Sequence, residues 1–219
     1  MVQVSDSRAG LRCHTAGIRS VLWIRSDSGH PVELELTTKR LILRPLSIHD
    51  VGLVTEMFTD EQVMTYAGGV VPEEKIKNKM RLYTRRGGDG YLGVWCICNR
   101  ITGERLGTVA LLPLPTDRDD TDWDLLIEGR LPEGEIEIGY FLKPAAWGTG
   151  YATEAVERVL RFVFEDSPLE EVVAVIDHGN KSSRRVLEKS GFLNTGIRHA
   201  YGEDIPGFRI THEQWRAGQ

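Results

Sequence analysis

Cysteine is scarce in this chain, three in 219 residues, too few and too scattered for a disulfide framework. Cys96 and Cys98 stand two apart, so on a strand they share a face and do not easily bridge each other. Reduced thiols in a cytoplasmic protein are the expectation. Long apolar runs are missing too. The longest, Val109 to Leu114, contains Pro113 and falls far short of the ~20 residues a membrane helix needs. No stretch supplies the apolar core of a secretory signal, roughly 7–15 residues. An excess of basic charge is also absent: the formal net charge is −5, which disfavours a general nucleic-acid binder. What the chain does have is 41% hydrophobic residues, which excludes a wholly disordered polymer and suffices for one large domain. The charge is uneven: residues 1–116 sum to +3, 117–137 to −7 and 138–219 to −1.

Residues 1–31 carry four arginines against two acids and are read as a poorly ordered N-terminal extension. A single domain is expected over 32–219. Leu41 and Leu43 alternate with Arg40, Ile42 and Arg44 as a strand. Ser47 to Asp50 reads as a capping box that opens a helix to about Phe58. Pro72 with Glu73 and Glu74 starts a second helix, on which Ile76, Met80 and Tyr83 share one side. Tyr91–Asn99 and Arg105–Leu112 pair through a hairpin. An acidic loop follows over about 116–134, with a small apolar patch from Trp123 to Ile127. Next comes a strand, Glu135–Leu142, with Ile136, Ile138, Tyr140 and Leu142 on one face, so that Glu135 and Glu137 point to the other. A helix from about Gly150 to Glu165 carries an apolar stripe through Val156, Val159, Leu160 and Val163. Val172–Ile176 is a buried-type strand. Asn180 caps a helix closed by Gly191. Phe192–Tyr201 and Gly207–Thr211 are the last strands, and Thr211 with Gln214 caps a final turn. Hairpins mixed with strand–helix–strand crossovers argue for one mixed α/β sheet covered by helices.

The stretch from Tyr140 to Ala155 carries the chemistry. A strand enters a glycine-containing turn that opens an amphipathic helix. The unpaired N–H groups and dipole of that helix start favour an anion, and Gly148 and Gly150 let the backbone approach a phosphate. The dinucleotide fingerprint G-x-G-x-x-G fails because Thr153 stands at its third glycine. A nucleoside-triphosphate loop fails because no Lys follows Gly150.

Three runs, GYFLKP over 139–144, WGTGYATEA over 147–155 and NKSSRRVLEKSGF over 180–192, resemble the GNAT acetyltransferase superfamily. TKRLILRP over 38–45 and RITHEQW over 209–215 resemble its RimJ/RimL-type branch, the ribosomal-protein N-acetyltransferases. The resemblance spans about residues 34–215 but leaves out the acidic insert. It departs at Ala145, where the usual [QR]-x-x-G-x-[GA] loop has a side chain able to reach a pyrophosphate. It implies an acyl-CoA N-acyltransferase fold: a central, mostly antiparallel twisted sheet with splayed middle strands and helices on both faces.

The same resemblance implies acetyl-CoA as donor and a primary amine, on a protein N-terminus or a small molecule, as acceptor. A non-catalytic acyl-CoA-binding module of the same fold is the alternative. No metal, nucleic acid or membrane enters, and monomer or homodimer stays open. The implied cofactor-binding residues are Tyr140, Phe141, Leu142, Trp147, Gly148, Thr149, Gly150, Tyr151, Ala152, Thr153, Asn180 and Ser183. Ser183 is also a candidate donor to the leaving thiolate. Glu137 is the candidate general base, since an alkylammonium near pKa ~10 must lose a proton before attack. Tyr201 is a further catalytic candidate, with His199 and His49 behind it. Arg184 and Arg185 either meet a CoA phosphate or form a solvated helix face. Asp117, Asp119, Asp120, Asp122, Asp124 and Glu128 either steer a cationic amine or form a solvated loop.

Overall fold

The computed structural model describes residues 23–25 and 31–219. The expected N-terminal extension therefore lies outside the described residues, except for Trp23–Arg25 and Pro31. In the backbone, β1 (Trp23–Arg25) pairs antiparallel with β2 (Pro31–Glu33) as a separate two-stranded sheet.

The main sheet has eight strands: β3 (Leu36–Thr37), β4 (Leu41–Pro45), β5 (Gly93–Asn99), β6 (Arg105–Pro113), β7 (Ile136–Leu142), β8 (Glu171–Val175), β9 (Leu193–Ala200) and β10 (Glu203–Thr211). Their spatial order is β3-β4-β5-β6-β7-β8-β10-β9. Every neighbouring pair is antiparallel except β7 with β8, which run parallel and meet at one register position, Glu137 opposite Val173. β6 covers the other edge of β7 from Ile136 to Leu142. Beyond Glu137 the two central strands thus part, which is the expected splay.

Helices lie on both faces. On one side, α1 (Val51–Phe58), α2 (Glu61–Met64) and α3 (Glu73–Tyr83) join β4 to β5. The Asp50 carboxylate, which precedes α1, accepts from the Ser47 N–H and hydroxyl. Pro72 caps α3 rather than occupying its first turn, and Ile76 and Met80 are its buried residues, as the spacing predicts. On the other side, α4 (Tyr151–Asp166) buries Val156, Val159, Leu160, Phe162 and Val163, each worth about 1.5–3 kcal/mol on leaving water. Its Phe162 meets the ring of Trp95 on β5 edge-on. The shorter α5 (Lys181–Lys189) starts under Asn180, whose Oδ1 accepts from the Ser183 N–H at 3.0 Å. A last helix, α6 (His212–Ala217), opens with the Thr211–Gln214 capping box.

One strand departs from expectation. β10 begins at Glu203, not Gly207, because β9 and β10 form a tight hairpin through Tyr201 and Gly202, both at positive φ (56° and 73°). Paired positive φ is the geometry of a two-residue hairpin turn. Gly202 suits the second turn position, but tyrosine is an unusual residue for the first, which weakens the turn signal in the sequence there.

Candidate active site

The cleft begins where β7 leaves β8. A 3-10 turn, Pro144–Ala146, carries the chain from β7 into the loop. The Trp147 indole donates to Leu142 O at 2.8 Å, and the Thr149 hydroxyl donates to Ala146 O at 2.7 Å. These bonds fold the loop onto the strand end. Gly148 and Gly150 sit at φ 71° and 83°, left-handed positions that glycine takes without strain. The N–H groups of Gly148, Thr149, Gly150, Ala152 and Thr153 meet no protein acceptor among the described residues, and that of Tyr151 only the Thr149 hydroxyl, at 3.4 Å. They form an open cradle of donors at the positive end of α4, suited to a phosphate.

Ala145 brings no side chain to this cradle, but a cation arrives from elsewhere. Arg40, just before β4, donates to Thr149 O at 2.9 Å and to Glu154 Oε2 at 2.6 Å. Its guanidinium lies 4.6 Å from the centre of the Tyr151 ring. Burial works against ionised Glu154, but the Thr38 hydroxyl and the Arg40 backbone and side chain together hold it below the usual carboxylate range. Arg40 stood inside the run 38–45, yet nothing local tied it to a loop more than 100 residues away.

The wedge between the central strands is bridged by side chains. Tyr140 donates from its hydroxyl to Ser183 O at 3.2 Å, and burial pushes this phenol up to about 12. Asn180 keeps its amide N–H₂ without a protein partner among the described residues, and the Ser183 hydroxyl likewise. Leu142 is buried, and Trp147 is half exposed at the mouth.

On the opposite face of β7 stands Glu137, buried and accepting a short hydrogen bond from the Tyr201 hydroxyl. Burial pushes the Glu137 carboxyl up to about 7, against the pull of the Tyr201 bond. Burial, the charge of Glu137 and the bond to it raise the Tyr201 phenol well above its ordinary range. The strained turn at Tyr201 is fixed by two backbone bonds, Tyr201 N–H to Pro115 O and Gly202 N–H to Thr116 O. Glu135, on the same face, is occupied by Arg198.

Between Glu137 and Phe141 the strand carries Gly139, where a Cβ would meet nothing within 4 Å. A slot is therefore open above the strand. Its wall is aromatic: Phe141 meets Phe58 at 5.2 Å, Phe58 meets Tyr83 at 6.1 Å, and Tyr83 meets Trp123 at 5.3 Å between ring centres. The indole N–H of Trp123 is buried without a partner among the described residues. Trp123 comes from the acidic segment, which is strapped down rather than loose. Asp120 pairs with Lys79 at 2.5 Å, Asp124 with Arg85 at 2.9 Å and Asp122 with Arg118 at 2.8 Å. Asp117 faces His199. Only Asp119 and Glu128 of the six carry no ion pair among the described residues.

The structure thus assembles the loop residues 147–153 with Tyr140, Leu142, Asn180 and Ser183, and it brings Glu137 to Tyr201 and Phe141 to the slot beside them. His199 instead pairs with Asp204 and Asp117 on the surface, and His49 lies before α1. Arg184 lies over the ring of Phe208. Sequence reasoning missed Phe58 and Tyr83 as wall residues because their apolar spacing reads equally well as core. No described helix is long and apolar enough to cross a membrane.

The acetyltransferase (GNAT) domain family matches residues 40–193. The chain is 31% identical over 159 residues to an uncharacterised protein, YkkB, of Bacillus subtilis, covering 72% of this chain and 84% of that one. An acetyltransferase of the GNAT family from Bacillus anthracis superposes with TM-score 0.64 at 22% identity, over 82% of this chain and 99% of the other. A spermidine N-acetyltransferase from Vibrio cholerae, solved with CoA and spermine, superposes with TM-score 0.61 at 15% identity, over 82% and 99%. The splayed strands, the donor cradle and these matches agree: the chain belongs to the GNAT acetyltransferase family and is an acetyl-CoA-dependent acyltransferase.

Proposed function

We propose that this protein transfers the acetyl group of acetyl-CoA directly to a primary amine, with Glu137 as general base. The observation that carries the proposal is a buried carboxyl, tuned to about 7, on the strand that leads into the phosphate cradle. In this reading the loop from Trp147 to Thr153 holds the pyrophosphate through backbone N–H groups. The unpaired edge of β7 from Tyr140 to Leu142 receives the pantetheine amides as an added strand, and one of its N–H groups polarises the thioester carbonyl.

The amine enters over Gly139. Glu137, directly or through a water, takes its proton, and the nitrogen lone pair attacks the thioester carbon. The C–S bond then breaks, and the thiolate leaves toward Asn180 and Ser183, whose hydroxyl donates a hydrogen bond to it, and takes up the second proton that the acylated nitrogen sheds. Tyr201 holds the Glu137 carboxylate. A cationic acceptor suits this slot, since aromatic faces and a buried carboxylate both attract an ammonium. The Vibrio cholerae neighbour, named for spermidine, is an amine acetyltransferase of the same fold. Within the family we place the chain in the RimJ/RimL-type branch, on the runs 38–45 and 209–215.

Release of free CoA thiol, followed over a panel of small amines and peptides with unblocked N-termini, tests the proposal. Acetyl-CoA consumption that depends on an added amine is the expected result. Binding of acetyl-CoA without transfer to any amine would favour a purely acyl-CoA-binding module instead.

A further inference from the structure

Cys96 and Cys98 play no part in the site above. Both lie on β5, on the sheet face they share with Arg44, and their sulfurs are 3.7 Å apart. Both are buried as residues, but Cys98 lines a shallow surface cavity of about 530 Å³ with Arg44, Arg100, Ile42 and Glu35. The charges around the pair do not balance. Arg44 binds Asp50 through two nitrogens at 2.7 and 2.8 Å, and Arg105 reaches the same carboxylate at 3.2 Å. Two guanidiniums on one buried carboxylate leave one positive charge in excess beside the sulfurs. Arg100, which donates to Thr38 O, and Glu35 also line the rim and offset each other in charge, so the surplus is that of the Arg44–Arg105–Asp50 cluster. The hydrogen bond shared with Cys96, then Arg44 and Arg105, draw the Cys98 thiol below its ordinary range in spite of burial. The same bond, together with burial, holds Cys96 above it. Cys98, the one of the two that lines the cavity, is the more readily ionised thiol, and Cys96 is its hydrogen-bond partner.

We propose that Cys98 is a modification site that forms a mixed disulfide with a small anionic disulfide entering this cavity. The Cys98 thiolate attacks one sulfur of the incoming disulfide. The new Cys98 S–S bond forms, the old S–S bond breaks, and the second half leaves as a thiolate, so no other oxidant is needed. Two features select this outcome over its rivals. Positions two apart on a strand are separated by about 6.6 Å at Cα, near the upper limit for a disulfide, so Cys96 does not readily expel the adduct by closing an internal bond. The surplus positive charge disfavours a metal cation and favours an anionic partner.

The test uses the full chain with Cys13→Ser, so that only the pair reports, and two probes: oxidised glutathione, which is anionic, and cystamine, which is cationic. Each rate is divided by the rate of the same probe with the unfolded peptide 87–100. Intact mass and peptide mapping are expected to show one adduct, on Cys98, abolished by Cys98→Ser. Cys96→Ser slows it several-fold. Cys96→Ala serves as a second variant, each variant's fold being confirmed by its melting curve. Glutathione is expected to show the larger normalised rate. An adduct on Cys96 overturns the proposal. So does a peptide 87–100 two hydrogens lighter, a normalised rate for cystamine equal to or above that for glutathione, or a native protein that reacts with neither probe.

Discussion

Glu137 is a carboxyl whose surroundings work against its charge, while one phenol works for it. Desolvation raises its affinity for the proton, and the Tyr201 hydroxyl lowers it. Since the folded carboxyl binds its proton more tightly than the unfolded one, ionising it costs the native state stability as pH climbs from about 4.5 to 7. With Glu137 as the proposed base, activity is expected to move the other way, because a base must be ionised to accept a proton. The acid limb of kcat/KM is therefore expected near pH 7. Tyr201→Phe removes the bond that favours the carboxylate and is expected to move that limb upward by about one unit. A limb unmoved by this change would detach Tyr201 from the base. The side-chain direction of Glu137 was legible in the sequence, since it alternates with Ile136 and Ile138. Tyr201 was legible as a catalytic candidate, but its contact with Glu137 was not. Its reach depends on a left-handed turn that tyrosine seldom adopts and on backbone bonds to Pro115 and Thr116, more than 80 positions away. Strain of this kind is a cost held where the surrounding structure over-determines it.

At the scale of elements, the loop between β7 and α4 is the clearest case of local sequence setting local structure. Gly148 and Gly150 take the positive φ values the turn needs, and the helix start follows without an intervening cap side chain. The cation beside that loop comes from a distant strand, however, and only the tertiary structure brings Arg40 there. Arg40→Ala loses bonds to Thr149 O and Glu154 and the stacking on Tyr151. Because the arginine is partly exposed, a moderate effect is expected: CoA affinity weaker by about tenfold, or ~1.4 kcal/mol, with kcat at saturation nearly unchanged. Calorimetric titration of CoA reads this directly, and unaltered affinity would remove Arg40 from the loop's support. Gly107 reveals a second constraint of the same scale. A Cβ there would lie 2.1 Å from Phe141 O, so β6 can press against β7 there only without a side chain. The acidic segment was legible as a loop, but its tethering to Lys79 and Arg85 depends on where α3 ends, which periodicity does not give.

For the whole molecule, the alternation of hairpins and crossovers was enough to indicate a mixed sheet, and the order of quoted motifs indicated the family. The insertion of β10 between β8 and β9 was not readable from residue pattern alone, because strand order is set by long-range pairing rather than by local spacing. The same holds for the start of β10 at Glu203, where Pro206 and Gly207 conceal a strand. The charge of −5 now has an anatomy. One segment holds more than the whole acidic excess; within it Asp120 pairs with Lys79, Asp124 with Arg85 and Asp122 with Arg118 of the same segment, while Asp117 faces His199. In the proposed reading the donor cradle and the open strand edge beside it favour CoA, with its pantetheine arm, over other adenine nucleotides. Acetyl-CoA is accordingly expected to raise the melting temperature, as a ligand of the native state does, while NAD and ATP at equal concentration leave it nearly in place.

The central claim is that a buried carboxyl on the splayed strand deprotonates the acceptor amine. Glu137→Gln keeps the shape of the side chain and its bond to Tyr201 while removing the base. Turnover of this variant with its best amine, measured beside its CoA affinity, is the most direct test. The account predicts a fall in kcat of about 10²–10⁴-fold with CoA affinity unchanged. Turnover equal to that of the unaltered protein would contradict it.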